Sequence, residues 1–167
     1  MVNNIPITNI DIENEIFLIK ILNPSISEKS LSNIALRNLI DDALKNEEIK
    51  KNNIQVLNRP IKKKYKNFLS KLNQKSLPEA IKKNIYSKIK TEVSWTKLIL
   101  KKFSRNSYVN INEIEEKIKK IDLSSKNNED QFDTKDKMIK SEKNKNINTS
   151  SNTYLNKLKN EALIKIY

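Results

Sequence analysis

Two pairs of neighbouring carboxylates, Asp41–Asp42 and Glu47–Glu48, come nearest to chemistry by type and spacing. Paired carboxylates can divide general acid and general base roles when their surroundings push their pKa values apart. These four stand in "ALRNLIDDALKNEEIKK", where apolar residues recur at helical spacing. Charges in such a pattern read as the solvated face of a helix. Nothing else supplies a catalytic set. The chain has no histidine, so the commonest general base and zinc ligand are missing. It has no glycine, which excludes a P-loop, a dinucleotide fingerprint and a nucleophile elbow. It has no cysteine, hence no disulfide, thiolate metal site or thiol nucleophile. The reading is of a chain with no catalytic residue, no cofactor, no metal site and no small-molecule substrate.

The second candidate chemistry is electrostatic. The net charge is +13, from 33 basic and 20 acidic residues. Residues 1–48 carry four basic against eight acidic residues, net −4, whereas residues 49–120 carry twenty against five, net +15. Such a block can meet nucleic acid, an anionic surface or an acidic polypeptide. Lys, Asn and Ile dominate throughout, however, so compositional drift is the simpler source of it. "RPIKKKYKNFLSKLNQK" and "KKFSR" interleave cations with aromatics, the pattern of a single-strand-binding surface. Only Arg37, Arg59 and Arg105 are arginines, and arginine is the better reader of bases and phosphates.

The elements that position these residues are mostly helical. "VNNIPI" predicts a brief edge strand ending near Pro6. Thr8 or Asn9 caps a first helix with Asp11 in its first turn, and Ile12, Ile16 and Ile19 share one face. Ser25 and Glu28 fit a capping box for a second helix, whose wide apolar face implies burial on more than one side. Asn58 is expected to cap a third helix with Pro60 in its first turn. Ser76 and Glu79 fit a second capping box, opening a long helix over 77–103. "VNINEIEEKIKKI" is a shorter fifth helix begun by Asn110 or Asn112. Residues 122–150 are too polar to offset the entropy of ordering and read as a disordered linker. A helix over 152–160 and a strand in "EALIKIY", with Ala162, Ile164 and Ile166 on one face, then close the chain. Two lone strands cannot persist separately, so the ends are expected to pair as a short two-stranded sheet on the helical core.

The segments "VNNIPITNIDIENEI", "ALRNLIDDALKNEEIKKNNIQV" and "IKTEVSWTKLILKKFSRNSYVNINEIEEKI" resemble the N-terminal domain of SurA-like periplasmic chaperones. These are peptidyl-prolyl isomerases of the parvulin class that escort outer-membrane proteins. The ending "YLNKLKNEALIKIY" is similar to that family's C-terminal segment, a helix and strand that pack back on the N-terminal domain. The resemblance implies a helical chaperone domain of about five helices over 1–121, the linker over 122–150, and a returning tail over 151–167. A standard parvulin domain relies on histidines and is rich in glycine. It therefore has no place here, and the implied protein is the chaperone without the isomerase.

The expected function is ATP-independent capture of unfolded β-barrel chains of the outer membrane. The aromatics with most reach, Tyr65, Phe68, Tyr86, Trp95 and Phe103, are the candidate client-binding residues. Phe68 and Phe103 sit on apolar stripes, where core packing competes for them, whereas Trp95 lies off its stripe. Tyr65 and Tyr86 carry polar tips that tolerate partial exposure. The alternative is a basic helical module that binds nucleic acid. No apolar run spans a bilayer. The resemblance implies a periplasmic location, while "MVNNIPITNIDIE" has neither the basic nor the apolar region of a signal peptide. Beside the periplasmic expectation, a truncated start or a cytoplasmic location is the alternative expectation from that opening.

Overall fold

The computed structural model describes residues 1–72, 77–104, 109–121 and 128–165, the side chains of residues 119–121 and 128–133 excepted. The described chain is mostly helical: α1 (Asn9–Leu22), α2 (Glu28–Lys51), α3 (Asn58–Lys71), α4 (Glu79–Lys102), α5 (Ile111–Ile121) and α6 (Asn128–Glu161). It falls into two compact units, Met1–Leu98 with Leu155–Tyr167, and Ile99–Tyr154. Among the described residues no helix is long and apolar enough to cross a membrane.

In the first unit, α1 starts at Thr8, which adopts extended backbone and forms a complete capping box with Asp11. The Asp11 N–H donates to Thr8 Oγ1 at 3.2 Å and the Thr8 N–H donates to Asp11 Oδ2 at 2.8 Å. Two donors that helix geometry leaves orphaned are thereby satisfied. Thr8→Ala is expected to cost about 1 kcal/mol in urea denaturation, with Thr8→Ser retaining most of it. Equal stability of the alanine and serine variants would show the box to be idle.

The starts of α2 and α3 differ from expectation. α2 is capped by Ser27, whose side chain makes no capping bond and instead meets Ser30 Oγ at 3.2 Å. Ser25 lies in the turn after Pro24, where the Ile26 N–H reaches the Asn23 carbonyl at 3.2 Å. Glu28 is consequently the first helical residue, and it pairs with Lys20 at 3.2 Å. Asn58 is likewise the first residue of α3, with Leu57 at the cap. The expected cap Ser76 lies outside the described residues.

Two apolar clusters hold this unit. Leu18, Leu77, Ile81 and Ile85 form one, with Tyr65, Phe68 and Leu72 of the α3 side packed on it. Ile19, Leu31 and Ala35 form the other, where α1 packs on α2. Ile61 of α3 and Leu98 of α4 are fully buried.

The tail does return. The Asn3 N–H donates to the Leu163 carbonyl and the Lys165 N–H to the Met1 carbonyl, both at 2.9 Å. The contact is an isolated antiparallel bridge, Val2 to Ile164, and the described residues form no sheet. Val2 is also bridged to Ile5 through a tight turn with Asn3 at φ 41°, so the chain leaves the tail after one pairing. Pro6 then has no N–H with which to continue a ladder. Ile166, expected on the pairing face, lies outside the described residues.

In the second unit, Asn110 caps α5: its Oδ1 accepts from the Asn112 N–H at 3.2 Å and its amide donates to Glu113 at 3.0 Å. Val109 and Ile114 are buried. The larger departure is α6. Residues 122–150 read as a disordered linker, yet a single helix begins at Asn128 and continues through the expected tail helix to Glu161. No glycine or proline interrupts it. Met138, Ile139, Glu142, Asn146, Ile147, Ser150, Ser151 and Tyr154 are all half-buried, with exposed residues between them. Their spacings of one, three and four trace one helix face. Lys135 of α6 pairs with Glu115 of α5 at 2.6 Å.

Candidate functional site

α1, α3 and α4 enclose an apolar slot of about 230 Å³ in the first unit, with Leu18, Leu22, Phe68, Ile85 and Ile89 as its walls. Lys64, Lys88 and Glu92 stand at its edges. The walls come from helical spacing: Leu18 and Leu22 are four apart on α1, and Ile85 and Ile89 four apart on α4. Leu22 is 45% exposed, so the slot opens to solvent beside it. Next to the slot Tyr65 and Tyr86 meet edge to face, ring centroids 5.5 Å apart at 79°. That is the geometry favoured by aromatic quadrupoles.

Lys88 and Glu92 at the edges of the slot also belong to an ionic network that ties three helices together. Lys88 of α4 pairs with Glu15 Oε2 of α1 at 3.0 Å and with Asp42 of α2. Asn38 donates to Glu15 Oε1 at 2.8 Å, and Lys45 pairs with Glu92 at 2.5 Å. Burial pushes the Asp42 carboxyl above its ordinary value, against the pull of Lys88 and Lys45. Burial works against the Lys88 ammonium, but Asp42 and Glu15 together raise it above its ordinary value. Both carboxylates are taken up by the lysine between them, so the cluster is a clamp rather than an acid–base pair. Thr91 Oγ1 of α4 donates to Asn46 Oδ1 of α2 at 2.8 Å, a second polar tie between these helices.

The solvated-face reading of the carboxylates is corrected by this arrangement. Only Glu47 is exposed; Asp41 and Asp42 are half-buried and Glu48 is 6% exposed. Asp41 pairs with Lys159 of the returning tail at 2.7 Å. Glu48 Oε1 accepts from the Asn52 amide at 2.7 Å. The wide apolar face of α2 implies burial on more than one side, but an apolar count says nothing of its polar positions, for which α1, α4 and the tail all provide partners.

The five candidate aromatics have different settings. Tyr65, Phe68 and Tyr86 are half-buried around the slot. Trp95 is 2% exposed and belongs to the core, because Ser94, Trp95, Leu98 and Ile99 bury α4 on a broader face than its main stripe. Phe103 belongs to the second unit and packs edge-on against Tyr154 at 5.4 Å, with Lys102 Nζ 4.6 Å above the Tyr154 ring. Sequence reasoning missed Glu15, although it falls three after Ile12 and four before Ile19, on the apolar stripe itself. A charge at a stripe position was the available signal.

No family model matches the sequence, and no curated protein and no solved structure matches it either.

Proposed function

We propose that the protein is an ATP-independent chaperone that captures unfolded polypeptide, with aromatic-rich outer-membrane β-barrel chains as clients and no isomerase domain. The observation that carries this is the slot: about 230 Å³, apolar-walled and open beside Leu22. It is smaller than the ~300–1,000 Å³ of ordinary small-ligand sites and suits one large side chain of an extended chain. The resemblance to SurA-like chaperones supports the same reading, and with it a periplasmic location and a tail that packs back on the N-terminal segment. A second reading, nucleic-acid binding, is favoured by one feature. Every charged residue of α3 is basic, and Arg59, Lys62, Lys63, Lys64 and Lys66 are exposed with no carboxylate partner among the described residues.

The test is suppression of aggregation when an unfolded β-barrel protein is diluted from urea. Protection is expected to survive a rise from roughly 50 to 200 mM salt, because apolar capture is not driven by counterion release. Leu22→Lys places a cation at the slot mouth and, being at the end of α1, suits the helix dipole. It is expected to cut protection severalfold without lowering the melting temperature. No protection at either salt would end the chaperone reading. Single-stranded oligonucleotide binding that collapses over the same salt range would put the second reading in its place.

A further inference from the structure

A second, larger groove of about 960 Å³ lies in the first unit between α2 and α4, bordered by residues 53–56. Its lining contains two lysines, Lys50 of α2 and Lys90 of α4, and no acidic residue. Both lysines are exposed and neither pairs with a carboxylate among the described residues. Asn46 adds donors. Its Oδ1 is occupied by the Thr91 hydroxyl, which leaves the amide N–H groups of the same side chain to the groove. Ile49, Ile54 and Val56 supply apolar surface between these polar groups.

The border is a non-helical edge that is held in place but not paired, with Ile54 and Val56 half-buried and Gln55 and Leu57 exposed. Asn53, at φ 49°, turns the chain out of α2, and the Ile54 N–H returns to the Ile49 carbonyl at 3.1 Å. Lys97 Nζ fixes the Gln55 carbonyl at 2.7 Å. At the other end Leu57 caps α3 with φ −70° and ψ 145°. Between these anchors the N–H groups of Gln55, Val56 and Leu57 have no backbone partner among the described residues. An extended peptide can take such an edge through main-chain hydrogen bonds, while its side chains enter the adjoining groove.

We infer that this groove binds an extended acidic segment of the client polypeptide, its carboxylates at Lys50 and Lys90 and its backbone along residues 55–57. The choice of partner rests on the client-capture reading above. The charge of the lining makes the choice: two unpaired cations and an amide donor, without a carboxylate, complement an anion and repel a basic chain.

The test is fluorescence anisotropy with a labelled peptide of about ten residues, alternating Thr and Val with Asp at two central positions, a length that spans the edge when extended. The comparison peptide carries Lys in place of Asp. The acidic peptide is expected to bind the wild-type chain in preference to the basic one. In the Lys50→Glu/Lys90→Glu variant its affinity is expected to fall by roughly tenfold or more, and the preference to reverse. Leu57→Pro fits the φ of that residue without strain and removes one edge N–H, so a severalfold loss is expected with an unchanged melting temperature. Equal affinity for the two peptides, or an acidic-peptide affinity unmoved by the double reversal, would overturn the inference. Capture of an oligonucleotide at these lysines without capture of the acidic peptide would overturn it too. The aggregation assay separates the two proposals. Protection that persists while the double reversal changes no peptide affinity leaves the slot and removes the groove. Acidic-peptide binding without protection removes the chaperone and leaves an anionic-peptide site.

Discussion

Lys88→Met is expected to lower the stability of the first unit by about 3–5 kcal/mol, the usual consequence of removing one partner from a buried ionic cluster. Methionine keeps most of the aliphatic stem of Lys88, so the loss is of charge rather than of packing. The Glu15 side chain is only 2% exposed, and without Lys88 it keeps the Asn38 amide alone. Asp42 keeps Lys45 as a nearby cation but loses its hydrogen-bonding partner. The pH dependence distinguishes this account from a simple packing defect. The folded pKa of Asp42 lies above its ordinary 3.8, so the folded state holds this proton more tightly than the unfolded chain. Its contribution favours folding at low pH and is lost as pH rises from about 3.8 through the folded value. In Lys88→Met the carboxylates lose their counter-charge, so acid is expected to restore part of the lost stability. The folded pKa of Lys88 is raised above 10.5, so its contribution is full below that pH and is lost as pH rises through the folded value. That alkaline loss is expected in the wild type and not in Lys88→Met. Urea denaturation across pH measures both limbs. A loss under about 1 kcal/mol, or a variant whose pH profile parallels the wild type, would remove the clamp from the account.

The same cluster shows where sequence pattern stops being informative. Thr8 and Asp11 were legible because a capping box is local: two side chains three apart satisfy two backbone donors, and no third element is needed. The stripe Ile81–Ile85–Ile89 on α4 was legible because burial of one face leaves a periodic trace. Glu15, Asp42 and Lys88 were not, since each looks like an ordinary surface charge until α1, α2 and α4 are brought together. Trp95 was misplaced for a related reason. One face was assigned to α4, while the fold buries Ser94, Trp95 and Leu98 beside it. α6 was misread because its half-buried face is written in Ser, Asn and Glu as much as in Ile and Met, so an apolar count finds no stripe. Of the slot, Phe68 was named beforehand, and its opposing walls Leu18 and Leu22 were not. Leu18 lies off the α1 stripe that the isoleucines define, and Leu22 falls at its end, three after Ile19.

Truncation after Tyr154 is expected to cost roughly 3–4 kcal/mol, a fall in melting temperature on the order of 10 °C. The removed segment supplies a buried side chain, an ion pair and a backbone connection. Leu155 is 8% exposed, and its burial contributes about 2 kcal/mol. Lys159 is the ion-pair partner of Asp41, which is half-buried and would be left with its charge uncompensated. The Asn3–Leu163 and Lys165–Met1 hydrogen bonds hold the first residues of the chain, where Val2 is 1% exposed. Each contributes about 1 kcal/mol net. Leu158, Glu161 and Ala162 also line a small cleft with Leu44 and Glu48 of α2, so their loss opens that buried glutamate to water. Against these gains stands the entropy of ordering the tail, which reduces the net effect to the figure given. Two point variants apportion the loss without shortening the chain. Leu155→Ala is expected to cost about 2–3 kcal/mol through the space it leaves. Lys165→Pro removes a single N–H donor and is expected to cost about 1 kcal/mol. If the truncated chain melts with the full-length protein, the tail contributes nothing to the first unit and its contacts are incidental. If the truncation and Leu155→Ala cost the same, the helix end rather than the Val2–Ile164 bridge holds the tail in place.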